Sequence, residues 1–214
     1  DPLKAEILII NTCSFIEEAT KEAVETILQL SRLKKEGRCR LLVVSGCLPQ
    51  RYGKVLEKEL PEVDLFVGTG AFQNLPKLLS QKPKRKSFLP KFTFLYNEKT
   101  PRILSTPPFI AYLKIAEGCS NACSFCTVPK IKGCYRSRKP RSVLKEARRL
   151  ADQGVQELIL VAQDTTAYGR DLPDETNLEK LLRSLVKVDG LRWIRILYSY
   201  PRADHFTDRL LELM

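Results

Sequence analysis

The sequence predicts an α/β fold whose first part is a parallel sheet of βα units, and two observations predict it. Short strand-like runs alternate with segments of helical period along nearly the whole chain, and strand–helix repetition of this kind implies right-handed crossovers. Some of the runs, AEILII at 5–10 and ELILV at 157–161, are continuously apolar, as in parallel strands buried on both faces.

Each element has a local reason. After the first strand, Ser14 is placed to cap a helix over 15–36, with Glu17 three residues on as in a capping box. Phe15, Ala19, Ala23, Ile27 and Leu30 recur at three- and four-residue steps, and Gly37 ends the helix. A second strand follows at 41–44, then a short helix at 54–60, a strand at 64–67 and a helix at 72–79. Residues 82–108 hold five prolines, the basic run Lys82, Lys84, Arg85 and Lys86, and no helical period, so they read as a linker with a short hairpin at 92–96. Alternation resumes with strands at 110–115, 157–161 and 193–197 and helices at 143–151, 178–186 and from about 204. The simplest organisation is a first domain over 1–81, the linker 82–108 and a second domain over 109–214. Three strands from residue 110 onward are too few for a closed eight-stranded barrel. The absent initial Met and the short last helix lead us to expect a fragment of a longer protein.

Composition narrows the class. Of 214 residues, 43% are hydrophobic and 29% charged, which fits a globular domain and excludes a disordered or fibrous chain. No apolar run approaches the roughly 20 residues of a membrane span, and no secretory signal opens the chain. Seven cysteines, an odd number without an export signal, argue against a disulfide framework and for metal or redox chemistry in the cytoplasm. The net charge of +11 is uneven: residues 82–102 carry seven cations against Glu98, and residues 130–149 carry nine against Glu146. These two segments sum to +14 and leave the rest at −3. Such a patch suits a polyanion such as RNA or a ribosome, or serves solubility as a solvated face.

Cys13, Cys47 and Cys119 each follow an apolar run, and ligands of parallel sheets bind beyond the carboxyl ends of strands. Cys39, between Arg38 and Arg40, carries no such signal and reads as a small core residue. Cys119, Cys123 and Cys126 form a C-x3-C-x2-C run. Three thiolates so spaced can converge on one soft metal centre, and in a four-iron cluster they leave one iron open for substrate or cofactor. The alternative is zinc with Cys134 as fourth ligand, in an RNA-binding module without catalysis; the spacing is not a common zinc array. His205 lies in PRADHF without a nucleophile elbow, and GTGAF lacks the Lys and spacing of a phosphate loop.

The cysteine run, with Phe125 before its last Cys, resembles the signature of radical S-adenosylmethionine (SAM) enzymes. The ordered set NTCSFIEEATKEA, SGCLPQRY, IAEGCSNACSFCTVPKIKG, SRKPRS, LVAQDTTAYG and YSYP is similar to the methylthiotransferases. QDTTAYG and YSYP resemble the RimO-type subgroup, which modifies a ribosomal protein. The resemblance implies the methylthiotransferase type of N-terminal domain, then the first half of a radical SAM partial (β/α) barrel. It implies two 4Fe–4S clusters: one held by Cys119, Cys123 and Cys126 that binds SAM, and an auxiliary one to which Cys13 and Cys47 would supply two of three cysteines. It places Phe125 next to adenine and puts Gln163 and Asp164 beside cofactor or substrate, with no residue assigned as catalytic. The implied substrate is an aspartate β-carbon of small-subunit ribosomal protein S-twelve, with an electron donor such as flavodoxin. A tRNA adenosine is the alternative substrate for the same chemistry. The family's first N-terminal cysteine, the second half of its barrel and its TRAM domain have no counterpart in these residues, so this stretch alone is expected to be weakly active or inactive. The residue after Gly133 is usually polar or acidic in the family, and here it is Cys134.

Overall fold

The computed structural model describes residues 1–80 and 86–214, so the basic run at 82–85 lies outside the described residues. The chain forms two compact units, one of residues 1–94 with 122–133, the other of 95–121 with 134–214.

The first unit runs β1 (Ile7–Thr12), α1 (Glu17–Ser31), α2 (Leu33–Glu36), β2 (Leu41–Gly46), α3 (Cys47–Glu59), β3 (Leu65–Gly68), α4 (Leu75–Ser80) and β4 (Ser87–Phe88), with a further short helix α5 (Val128–Lys132). The four strands lie in the order β1-β2-β3-β4, all parallel. β2 is interior, so its alternate residues enter two apolar layers. Leu42 and Val44 join Leu8, Ile10, Ile27 and Phe66 on one face, and Val43 joins Leu65 and Val67 on the other.

Four sequence expectations need correction here. β1 is an edge strand with one face covered, so Ile7 and Ile9 of the apolar run are exposed while Leu8 and Ile10 are buried; composition cannot distinguish an edge from a centre. The capping box does not form: α1 starts at Glu17 with Ile16 at its N-cap, and the buried Ser14 instead accepts hydrogen bonds from Thr20 Oγ1 (3.4 Å) and, at its carbonyl, from Arg51 (2.7 Å). The helix expected at 54–60 begins at Cys47 and continues across a break at Gly53, whose φ of 28° no helix interior shares. No strand forms over 92–96; Phe94 instead packs edge-on against Phe72 with ring centres 5.4 Å apart, and residues 87–88 add the fourth parallel strand.

The second unit holds β5 (Ile110–Lys114), β6 (Ala116–Glu117), β7 (Arg136–Ser137), α6 (Pro140–Asp152), β8 (Glu157–Val161), α7 (Leu178–Leu185), β9 (Trp193–Ile196) and α8 (Asp208–Leu211). β5, β8 and β9 make a parallel three-stranded sheet in that order, and β6 pairs antiparallel with β7. Leu113, Leu158 and Leu160 of the sheet pack with Val143, Ala147 and Leu150 of α6 and Leu178, Leu181, Leu182 and Leu185 of α7. Pro140 opens α6, where its missing N–H costs nothing. The Asn177 side chain caps α7 by accepting from Lys180 N at 2.9 Å. Arg138 is fully buried; its guanidinium donates to Lys114 O (2.7 Å) and meets Glu146 at 2.8 Å, which anchors the chain after β7 to the end of β5. Among the described residues no helix is long and apolar enough to cross a membrane.

Candidate active site

In the first unit the strand ends are built by backbone. Thr12, Gly46 and Gly68 are register partners at the carboxyl ends of β1, β2 and β3. Gly46 has φ 108°, and a Cβ there would stand 2.5 Å from Thr12 O, so only glycine permits this approach. Thr12 Oγ1 adds a 2.7 Å hydrogen bond to Ser45 O. Cys13 and Cys47 are the next residues, so they leave adjacent strands at the same height. Cys13 is exposed, and Cys47 is partly buried at the start of α3. Cys39 is buried in the apolar layer under the sheet, and Cys134 is exposed.

Side chains build the corresponding end of the second unit. Gly118, at φ 79°, turns the chain out of β6, and Cys119 follows, buried, with its sulfur accepting from Asn121 N at 3.4 Å. The Asn121 amide donates to Asp164 Oδ2 at 2.9 Å. Asp164 is 1% exposed, and donors surround its carboxyl, as a buried polar group requires. Its Oδ1 takes a 2.6 Å bond from Thr166 Oγ1 and a 3.3 Å bond from Ala167 N. Thr166 Oγ1 in turn stands 3.2 Å from His205 Nδ1. A cavity of about 310 Å³ opens here, lined by Cys119, Asn121, Tyr135, Asp164, Arg170 and His205 among others.

The groups around this cavity are electrostatically distinct. Burial, reinforced by the Asp164 and Asp171 carboxylates, pushes the Tyr135 phenol far up, so it stays a neutral donor. Its hydroxyl is buried and makes no hydrogen bond among the described residues, while its neighbour Ser137 Oγ is committed to Asp171 and Gly169 N. Burial, then Arg170, holds the His205 imidazole below its ordinary value, so it is neutral at pH 7. Asp204 bridges Arg202 (3.0 Å) and Arg170 (2.9 Å), and hydrogen bonds from those two guanidinia bring its carboxyl down to about 2.

The remaining expected positions are more dispersed. Gln163 follows β8 by two residues, and its buried Oε1 makes no hydrogen bond among the described residues. Cys123 and Cys126 are partly buried and belong to the stretch counted with the first unit, where Cys126 N donates to Cys123 O at 3.1 Å; Phe125 between them is 80% exposed. Among the described residues no three Cys, His, Asp or Glu side chains are gathered as a metal site. The donor chemistry nevertheless fits a soft cluster: none of the seven cysteines forms a disulfide, and Cys119 borders a cavity supplied with an orphaned hydroxyl donor. Tyr135, Arg170, Arg202 and His205 were not legible as site residues; Asn121 at least falls inside the cysteine motif.

Comparison with known proteins decides the family. Residues 1–68 match the Uncharacterized protein family UPF0004, and residues 113–214 match the Radical SAM superfamily. The ribosomal protein uS12 methylthiotransferase RimO of Geobacter sulfurreducens is 51% identical over 99% of this chain and 48% of its own length. The proteins of the same name from Geotalea uraniireducens and Clostridioides difficile are 50% and 47% identical over 100% and 99% of the chain, again across 48% of theirs. This chain belongs to the RimO-type radical SAM methylthiotransferases. It spans about half the length of the curated family members it matches. Among solved structures, TsrM of Kitasatospora setae, a radical SAM methyltransferase with cobalamin and a 4Fe–4S cluster bound, covers 98% of the chain at 16% identity and a TM-score of 0.63, with 47% of that chain matched. At that identity the likeness concerns the fold. Family membership displaces the zinc-module alternative, because the match spans both units.

Proposed function

We propose that the protein to which this chain belongs transfers a methylthio group to the β-carbon of an aspartate in ribosomal protein uS12, in the cytoplasm and with an electron donor such as flavodoxin. The observation that carries the reading is the roughly half identity to curated uS12 methylthiotransferases over nearly every residue. Residues 1–81 would be the auxiliary-cluster domain, 82–108 a linker and 109–214 the radical SAM part; the matched ranges 1–68 and 113–214 support that layout.

The donor set assigns roles. Cys119, Cys123 and Cys126 would hold the SAM-binding cluster, and Cys13 with Cys47 would contribute to the auxiliary one. When bound, the first cluster supplies one electron to SAM and so provides a carbon radical able to take hydrogen from an unactivated C–H bond, which no side-chain base could deprotonate at neutral pH. Asn121, fixed by Asp164, would hold the Cys119 loop, since its backbone N–H donates to the sulfur and steadies the thiolate. Tyr135 offers a neutral hydroxyl, and Gln163 a carbonyl oxygen, to cofactor or substrate. Phe125, exposed in the loop, would cover the adenine.

Iron and acid-labile sulfide after anaerobic reconstitution test the cysteine assignment. We expect about four irons per chain to vanish in Cys123→Ala. Stoichiometric zinc without iron would end the radical reading. In the full-length protein, a methylthio mass gain on uS12 is expected; methylthio-adenosine in digested tRNA would move the substrate to RNA.

A further inference from the structure

A second large cavity lies in the second unit, of about 1120 Å³, between the 95–99 segment and α6. Its lining includes Tyr96, Lys99, Lys139, Arg141, Lys145 and Arg148. The 95–99 segment is fastened to the helix, because Arg149 donates to Glu98 O at 2.7 Å. Arg141, Lys145 and Arg148 recur at steps of four and three, so they share one face of α6 at a rise of about 1.5 Å per residue.

The cations of this region fall into two sets. Arg138, Arg102 and Arg149 converge on the buried Glu146, at 2.8, 3.5 and 4.0 Å. Lys139, Arg141, Lys145 and Arg148 are exposed and make no ion pair among the described residues. Glu98 is the only carboxylate in the lining, and its carboxyl is held below the ordinary range first by a hydrogen bond with Ser142. Like charges four apart weaken a helix, and a face kept for solubility mixes both signs. Arg141 and Lys145 break that pattern, so the arrangement serves an outside anion rather than the helix. Its shape points to the class. A membrane surface would meet a flat or convex face with exposed apolar residues, whereas this is a groove with a half-buried aromatic ring, Tyr96, that already carries the Lys114 ammonium 5.2 Å over one face. Basic grooves that track a backbone beside an aromatic platform are how proteins hold single-stranded nucleic acid.

We propose that this groove binds single-stranded RNA, with Arg141, Lys145 and Arg148 on successive phosphates and the side of the Tyr96 ring away from Lys114 against a base. None of these side chains lines the Cys119 cavity, so the proposal stands independently of the cluster chemistry. Fluorescence anisotropy with a labelled unstructured 12-nucleotide RNA tests it on the chain as it is. The triple variant Arg141→Glu, Lys145→Glu, Arg148→Glu is compared with Lys35→Glu, Lys54→Glu, Lys58→Glu, exposed cations of the first unit that give the same net charge. We expect the α6 variant to lose at least about tenfold in affinity and its salt slope to fall by about 2, with the control within about twofold of the parent. Tyr96→Ala should lose about tenfold with an unchanged salt slope. If the glutamates unfold α6 by circular dichroism, the glutamine triple replaces them with the same expectation. Equal losses in both variants, no RNA binding by the parent at low salt, or tighter binding to poly-glutamate or phosphatidylglycerol vesicles than to RNA would each overturn the proposal.

Discussion

The two units each set a cysteine just after a strand, beyond the parallel β1 and β2 in the first and beyond β6 of a short antiparallel pair in the second, by different means. In the first, the strand ends are held by main chain: Gly46 lets β2 press against Thr12, and one hydroxyl bond to Ser45 O completes the contact. In the second, a relay of buried side chains from Asn121 through Asp164 and Thr166 to His205 fixes the loop after Cys119. A backbone-built end tolerates almost no change at one glycine and much change around it. A side-chain-built end distributes its demands over several polar residues, each of which must find its partner once water is excluded.

That contrast can be broken from either side. The largest effect is expected in the second unit: Arg138→Ala leaves Glu146 buried with only the longer contacts to Arg102 and Arg149, and should cost about 3–5 kcal/mol of unfolding free energy by urea denaturation. Hydrogen exchange should then rise first at β6 and β7. Gly46→Ala strikes the first unit, and strain at positive φ with a 2.5 Å approach to Thr12 O should cost about 2–3 kcal/mol, with faster exchange at β1 and β2. A loss spread evenly over both units in either variant would contradict separate support of the two strand ends. The smallest effect sharpens it at the rim of the cavity. Asp204 has its carboxyl lowered to about 2 from an ordinary 3.8, so its contribution is fully present above about pH 4 and fades as pH falls towards 2. The carboxyl carbon resonance should titrate near pH 2 in the folded protein, and Arg202→Gln should move the midpoint back towards 3.8.

Much of the scaffold was readable because its signals are local. Apolar runs, the helical period of 143–151 and the cysteine spacing each depend on neighbours within a few residues. What the sequence left hidden depends on pairing. Ile7 and Ile9 look like core until β1 proves to be an edge strand, and Ser14 looks like a cap until Arg51 claims its carbonyl. His205 carried no signal at all, since it meets Thr166 across 39 positions of chain. The C-x3-C-x2-C run was the strongest functional sign, for its three cysteines lie within one loop. Tyr135 and Arg170 became site residues only through where β7 and the turn after Gly169 bring them.

The register of Thr12 with Gly46 also governs how this region can vary. Insertions or deletions within α1 or the turn after it leave the height of Cys13 beside Cys47 untouched, because only the strand pairing sets it. A one-residue slip of β1 along β2 would instead turn Leu8 and Ile10 outward and move the first thiol along the sheet edge. Length is therefore free to drift between the two cysteines, while phase is not.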